Sequence, residues 1–271
     1  MSKLDKVVNK KYGLNSKFKF RCHKDIKCFT KCCSNVDILL TPYDVLRLKK
    51  RLKLTSSEFL LEYTYVKTDE QSSHPHAMLK MKESGGRECP FLTPEGCTVY
   101  ADRPANCRYY PVGQGTLKKE TEKGIEEEEF YFFVNEPHCL GFNEDKEWSI
   151  ESWRIDQEVD LYDRLNREWK GIQLRKNLPG QPPLDEKKQL QFYIASYDLD
   201  GFRNYVFESR FLEIFDIDKE TLEKIRNDEV ELMQFGFKYI KYIMMLEETL
   251  KARDEAVAAG LQKNKTGKIL N

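Results

Sequence analysis

The stretch Phe20–Cys33, FRCHKDIKCFTKCC, sets Cys22, Cys28, Cys32 and Cys33 on one short segment, with five residues between the first two, three before the next, and the last pair adjacent. A second group follows, Cys89, Cys97 and Cys107, with seven and nine residues between successive members, and Cys139 stands alone. The 132 residues after Cys139 contain no cysteine. Thiolate is the ligand form of cysteine, and several thiolates approach one another in a reducing compartment only where a metal offsets their repulsion. The N-terminal residues carry Lys3, Lys6, Lys10, Lys11, Lys17 and Lys19 without the apolar run of a secretory signal, so the expected address is the cytoplasm, where disulfide frameworks do not persist. All eight cysteines are therefore expected as metal ligands.

Spacing bears on which metal. Structural zinc sites present two pairs of cysteines two to four residues apart, and only the step from Cys28 to Cys32 or Cys33 comes near that pattern. Wider and mixed separations suit an iron–sulfur cluster, which is broader than one ion and accepts thiolates from irregular loops. An iron–sulfur cluster is the favoured cofactor and zinc the alternative, with inert buried thiols or disulfides behind both. Eight ligands allow two four-thiolate centres, or one centre and a reactive pair. Cys32 and Cys33 need not share a metal, because neighbours on an extended chain point opposite ways. Arg21, Arg103 and Arg108 lie next to or near these cysteines, and as surrounding positive charges they would lower thiol pKa values. His23 and His138 adjoin cysteines as substitute ligands, whereas His74 and His76 read as an exposed loop.

The chain of 271 residues is 40% hydrophobic and 33% charged, with 16 Phe, 14 Tyr and 3 Trp, enough for a real core and incompatible with wholesale disorder. No run approaches the roughly 18 apolar residues that span a bilayer. Lys and Arg balance Asp and Glu at 45 each, yet residues 1–60 hold 15 basic against 5 acidic side chains and residues 116–160 hold 5 against 14. The two segments are expected to attract each other. The basic arm, read as helical, lacks a nucleic-acid reading motif, so a solvated charged face is the expected meaning and nucleic acid is not an expected partner.

Cysteine asymmetry points to an α+β chain in two parts. An irregular cysteine-rich metal-binding domain with short helices and a small sheet is expected over 1–145, and an all-helical domain over 146–271. Within the first part, Thr41 reads as a helix cap with Pro42 at the first helical position, and Thr55-Ser56-Ser57-Glu58 as a capping box. Residues 76–82 and 125–134 read as extended, the latter from its aromatic run Phe130–Val134. Ile155, Val159, Tyr162, Leu165, Trp169 and Ile172 recur at helical steps. Further helices are predicted over 185–197, 200–209, 218–226 and 228–255, capped by Asp200 and Asp218. Leu178–Pro183, LPGQPP, marks a turn or linker. Phe202, Tyr205, Phe211, Phe215, Phe235, Phe237 and Tyr239 are spaced as core residues.

FRCHKDIKCFTKCC, with Leu40-Thr41-Pro42-Tyr43-Asp44, CPFLTPEGC from Cys89, TVYADRP to Pro104, NCRYYP from Asn106 and Cys139-Leu140-Gly141, resembles the YkgJ-type CxxCxxCC cysteine-cluster family over about residues 18–141. All eight family cysteines have counterparts, although five and three residues replace two and two in the first group. The resemblance implies a zinc- or iron-chelating centre and supplies no reaction. Flagellin lysine N-methylases carry a similar motif, which makes cluster-assisted modification the enzyme alternative to an electron-transfer or structural role. The partners implied are a metal ion or cluster and a protein redox partner.

Other motifs carry less. The Glu126–Glu129 run lacks the turn glycine of a calcium loop and reads as a solvated strand edge. Tyr109 and Tyr110, beside Cys107, are expected to close an apolar lid over the metal. Ser84-Gly85-Gly86-Arg87 lacks the glycines and helix of a phosphate cradle.

Overall fold

The computed structural model describes residues 10–70, 72–83, 86–121, 124–175 and 183–255. Among them the fold is α+β, with ten helices and four two-stranded ribbons. The linker expected at 178–183 and the Ser84–Gly85 part of the glycine stretch lie outside the described residues, apart from Pro183. No described helix is long and apolar enough to cross a membrane.

The chain divides into two compact units that are not consecutive halves: residues 1–40 with 78–164, and residues 41–77 with 165–271. The first unit contains all eight cysteines. Its strand β1 (Lys17–Lys19) pairs antiparallel with β8 (Glu147–Ser149). The basic arm is therefore extended at this point and not helical, because alternate residues bury Phe18 while Lys17 and Lys19 face water. Lys17 reaches Glu147 at 2.9 Å and Lys19 reaches Asp145 at 3.0 Å, so basic and acidic segments do meet as their charges require. A short hairpin joins β4 (Leu92–Thr93) to β5 (Gly96–Cys97), and α3 (Ala105–Tyr109) follows. The long ribbon of β6 (Val112–Thr121) and β7 (Gly124–Phe133) sets Glu127 opposite Lys118 and Glu126 opposite Lys119 in register.

The core of this unit is aromatic. Phe18, Phe20, Val112, Tyr131, Phe133, Ile150 and Trp153 form one buried cluster against which Cys139 and Tyr110 pack. Edge-on rings, such as Phe20 on Trp153 at 5.5 Å, add quadrupole attraction to burial. Helix α4 (Ile150–Asp156) contributes Trp153 and ends at Gln157 and Glu158, the latter at φ 54°, before α5 (Val159–Arg175) begins. That break overturns one uninterrupted helical stripe: Ile155 is 66% exposed, since α4 is oriented by Trp153 and not by its periodic neighbour.

The second unit is mostly helical. Helix α1 (Pro42–Leu52) starts at Thr41, whose hydroxyl accepts from Asp44 while the Asp44 carboxylate accepts from Thr41, with Pro42 at the first position as expected. Helix α2 (Ser56–Tyr63) has the reciprocal box between Thr55 and Glu58. Strand β2 (Thr64–Thr68) pairs β3 (Pro75–Leu79), at whose start His74 is buried and stacked on Phe192 at 4.9 Å, with Nδ1 3.2 Å from the Gln173 oxygen. The expected exposed loop at His74 and His76 is thus a buried strand entry, because His76 also lies edge-on to Trp169.

Helices α6 (Glu186–Tyr197), α7 (Leu199–Glu208), α8 (Phe211–Ile214), α9 (Lys219–Asn227) and α10 (Glu229–Ile243) complete it. Asp218 caps α9 as expected, but α7 is capped by Asp198 rather than Asp200. Asp198 occupies the junction leaving α6. Asp200, the second residue of the helix, instead accepts from Lys49 at 2.8 Å and from the Ser56 backbone at 2.7 Å. Helix α10 stops at Ile243 and not at 255, since Met245 adopts φ 54° and turns the chain back so that Ala252 bridges Phe215. Gly236 permits α10 to cross α6: a Cβ there would lie 2.4 Å from the Ala195 carbonyl oxygen.

Candidate metal centre

The segment from Cys22 to Cys33 folds as successive turns, with Ile26 donating to His23 (3.2 Å), Phe29 to Ile26 (2.9 Å) and Lys31 to Cys28 (3.1 Å). It closes in a 3₁₀ turn, Lys31–Cys33, led by Thr30 at φ 68°. This tight winding corrects the extended-chain picture of the Cys32–Cys33 pair. Their side chains hydrogen-bond to each other rather than pointing apart.

Backbone contacts then deliver the distant cysteines. The Cys89 amide donates to the Cys33 carbonyl at 2.8 Å. Leu92 is opposite Cys97 across the hairpin, whose turn needs Gly96 at φ 122°, where a side chain would be strained. Cys107 enters through α3, its amide bonded to the Pro104 carbonyl at 2.9 Å. From the other direction, the Arg21 amide donates to Gly141 at 3.1 Å and the Leu140 amide donates to the Cys28 sulfur at 3.2 Å, which carries Cys139 to the first group.

The outcome is one cavity of about 210 Å³ whose wall includes all eight cysteines. A water molecule's share of liquid volume is about 30 Å³, so the space accommodates several atoms. Among the described residues, no three Cys, His, Asp or Glu side chains close tightly enough on one point to hold a single ion as they stand. The thiols line a chamber.

Electrostatics sort them into two neighbourhoods. Partial desolvation at the cavity wall, although Cys22 is an exposed residue, then the proximity of Cys32, Cys28 and Cys139, pushes its thiol up to about 11. Cys33 is raised by its hydrogen bond to Cys32, by burial and by the neighbouring Cys32, Cys107 and Cys89, and the same bond lowers Cys32 to about 7. Burial raises Cys89 and Cys97, opposed by backbone N–H donors at Phe91 and Val99 respectively. Cys22 thus has Cys32, Cys28 and Cys139 as neighbours, Cys33 has Cys107 and Cys89, and Cys89 has Cys97, while Cys32 and Cys33 adjoin each other.

The three arginines occupy different places. Arg103 lines the cavity, Arg108 does not, and Arg21 is exposed. Arg108 is fully buried and donates to the carbonyls of Arg103 (3.1 Å), Gln157 (2.9 Å) and Ala101, and to Glu158 at 3.1 Å, with its guanidinium 4.3 Å over Tyr162. It anchors the loop that presents Arg103 and Cys107.

Of the tyrosines, Tyr110 lines the cavity beside Cys139, while the Tyr109 hydroxyl is drawn away to Asp163 and to Gln114 at 2.5 Å. His138 is on the wall and His23 is not. Sequence reasoning missed Trp153 and Gln157, which also line the cavity; neither residue type signals such a role without the fold.

Sulfur donors from several loops, backbone N–H groups on the sulfurs and a mostly apolar wall fit a thiolate-held metal. No curated protein and no solved structure matches the chain. Residues 21–141 match the CxxCxxCC family model, described as a "putative zinc- or iron-chelating domain".

Proposed function

We propose that the chain holds iron–sulfur centres on two sets of four thiolates, Cys22/Cys28/Cys32/Cys139 and Cys33/Cys89/Cys97/Cys107, in an electron-transfer or structural role in the cytoplasm. The observation that carries this reading is the presence of all eight cysteines on the wall of one chamber. Its breadth and the mixed cysteine spacings favour polynuclear centres over one ion. Such a group, when bound, supplies one-electron chemistry at a potential tuned by its surroundings.

The chain's own residues set those surroundings. N–H donors at Leu140, Phe91 and Val99 place positive dipole ends on the sulfurs of Cys28, Cys89 and Cys97. Phe20, Tyr110 and Trp153 present apolar surface that limits water. Thiols held protonated without metal must lose their protons on loading, so the folded chain exchanges protons for metal charge.

Anaerobic purification with iron, zinc and acid-labile sulfide analysis and a visible spectrum tests the reading. The expected protein is brown, with iron and sulfide in near-equal amounts. A colourless protein carrying zinc alone refutes the iron–sulfur assignment and leaves a structural zinc domain.

A further inference from the structure

Arg103 is the one Lys, Arg, Asp or Glu side chain lining the cavity among the described residues. It is 8% exposed. Its guanidinium donates to the Tyr100 carbonyl at 2.6 Å and to the Gln157 side-chain oxygen, and stacks 4.0 Å over the Tyr100 ring. These are neutral partners, and no carboxylate pairs with it among the described residues. A buried cation without an anion is costly by several kcal/mol, and a folded chain retains one where negative charge arrives from elsewhere. Around Arg103 lie Tyr100, the like-charged Arg108, and then Cys107 and Cys97, both thiols of one set; Cys107 follows on the same loop, its amide bonded to the carbonyl of the neighbouring Pro104 at 2.9 Å. Among the described residues no other Lys or Arg side chain lines the cavity to serve the second set, and the charge of Glu136 acts on Cys32 there.

We propose that Arg103 makes the two halves of the cavity unequal: its fixed charge stabilises bound thiolates of Cys33, Cys89, Cys97 and Cys107 and leaves Cys22, Cys28, Cys32 and Cys139 without that support. Gln157 and the Tyr100 carbonyl act as positioning groups that hold the guanidinium against the sulfurs. The inference rests on the metal reading above but is indifferent to whether the metal is iron or zinc. It assigns the chamber a tightly held half and a labile half.

The test uses the full chain as purified with its metal, in wild-type, Arg103→Gln and Arg103→Lys forms. Each is exposed anaerobically to excess chelator and iodoacetamide, and mass spectrometry follows alkylation of every cysteine while circular dichroism monitors the fold. Wild type labels Cys22, Cys28, Cys32 and Cys139 first. Arg103→Gln accelerates labelling of Cys33, Cys89, Cys97 and Cys107 at least about tenfold, equivalent to about 1.4 kcal/mol, without changing the other four, and Arg103→Lys, which keeps the charge without the planar fork, falls between wild type and Gln. Uniform acceleration of all eight, no acceleration, or Lys behaving as Gln overturns the assignment of Arg103 while leaving metal binding intact. A folded chain that takes up no metal refutes the proposed function and this inference together.

Discussion

Replacing Arg108 by Met tests whether the metal-bearing loop is held from behind by a buried cation. Met keeps most of the volume and removes every donor. The carbonyls of Arg103 and Gln157, in buried residues, lose charged donors at 3.1 and 2.9 Å, whereas the Ala101 carbonyl, in an exposed residue, can turn to water. A hydrogen bond from a charged group contributes about 1.5–3 kcal/mol, and an orphaned buried acceptor retains its desolvation cost. Two such losses, with the 4.3 Å stacking on Tyr162 and some offset from the added apolar surface, come to about 3–5 kcal/mol. Against a typical stability of about 5–15 kcal/mol this is a large fraction. Urea unfolding of metal-loaded wild type, Arg108→Met and Arg108→Lys, with metal per chain measured in parallel, reads both consequences. Arg108→Met is expected to lower the midpoint and lose metal, and Lys to recover only part, since one ammonium cannot reproduce the planar fork. An Arg108→Met protein within about 1 kcal/mol of wild type and fully metallated would refute the argument.

Gly236→Ala is expected to destabilise the helical unit by about 1–3 kcal/mol despite alanine's better helix propensity, because its methyl meets the Ala195 carbonyl at 2.4 Å; thermal unfolding checks this. Lys49→Met, which removes the buried ammonium from Asp200 and Glu229 but leaves Ser56 on the first and Lys50 on the second, is expected to cost about 1–3 kcal/mol near neutral pH. Acid titration of its unfolding midpoint should show that much of the loss disappears as those carboxylates protonate. In metal-free protein Cys22 is raised from 9.0 to about 11, so its neutral form is favoured by folding. That contribution is complete below the unfolded value and is lost as pH rises between the two, so urea midpoints should fall over that window. Metal affinity should move oppositely, rising about tenfold per pH unit for each thiol proton expelled, as chelator competition would measure.

Local chemistry made much of this legible in advance. Thr41 with Pro42 and Asp44, and Thr55 with Glu58, announce helix starts whose hydrogen bonds span three residues, so no distant partner is needed. The aromatic run at 130–134 likewise reads as a strand. Where reading failed, a partner far along the chain decided. Asp200 resembles a cap but is claimed by Lys49 and Ser56, and α10 ends at a left-handed Met245 that no glycine or proline marks. His74 looks like loop and is buried under Phe192.

The same division holds at the metal centre. Eight thiols gathered within residues 22–139 already point to a chelated metal, because ligand chemistry belongs to the residue type. Their sorting into two groups, the removal of Arg108 and Tyr109 from the wall and the isolation of Arg103 among neutral partners depend on backbone bonds between residues such as Cys33 and Cys89, or Cys28 and Leu140. Electrostatic influence falls with distance through space, and the chain's order carries no measure of that distance until it folds.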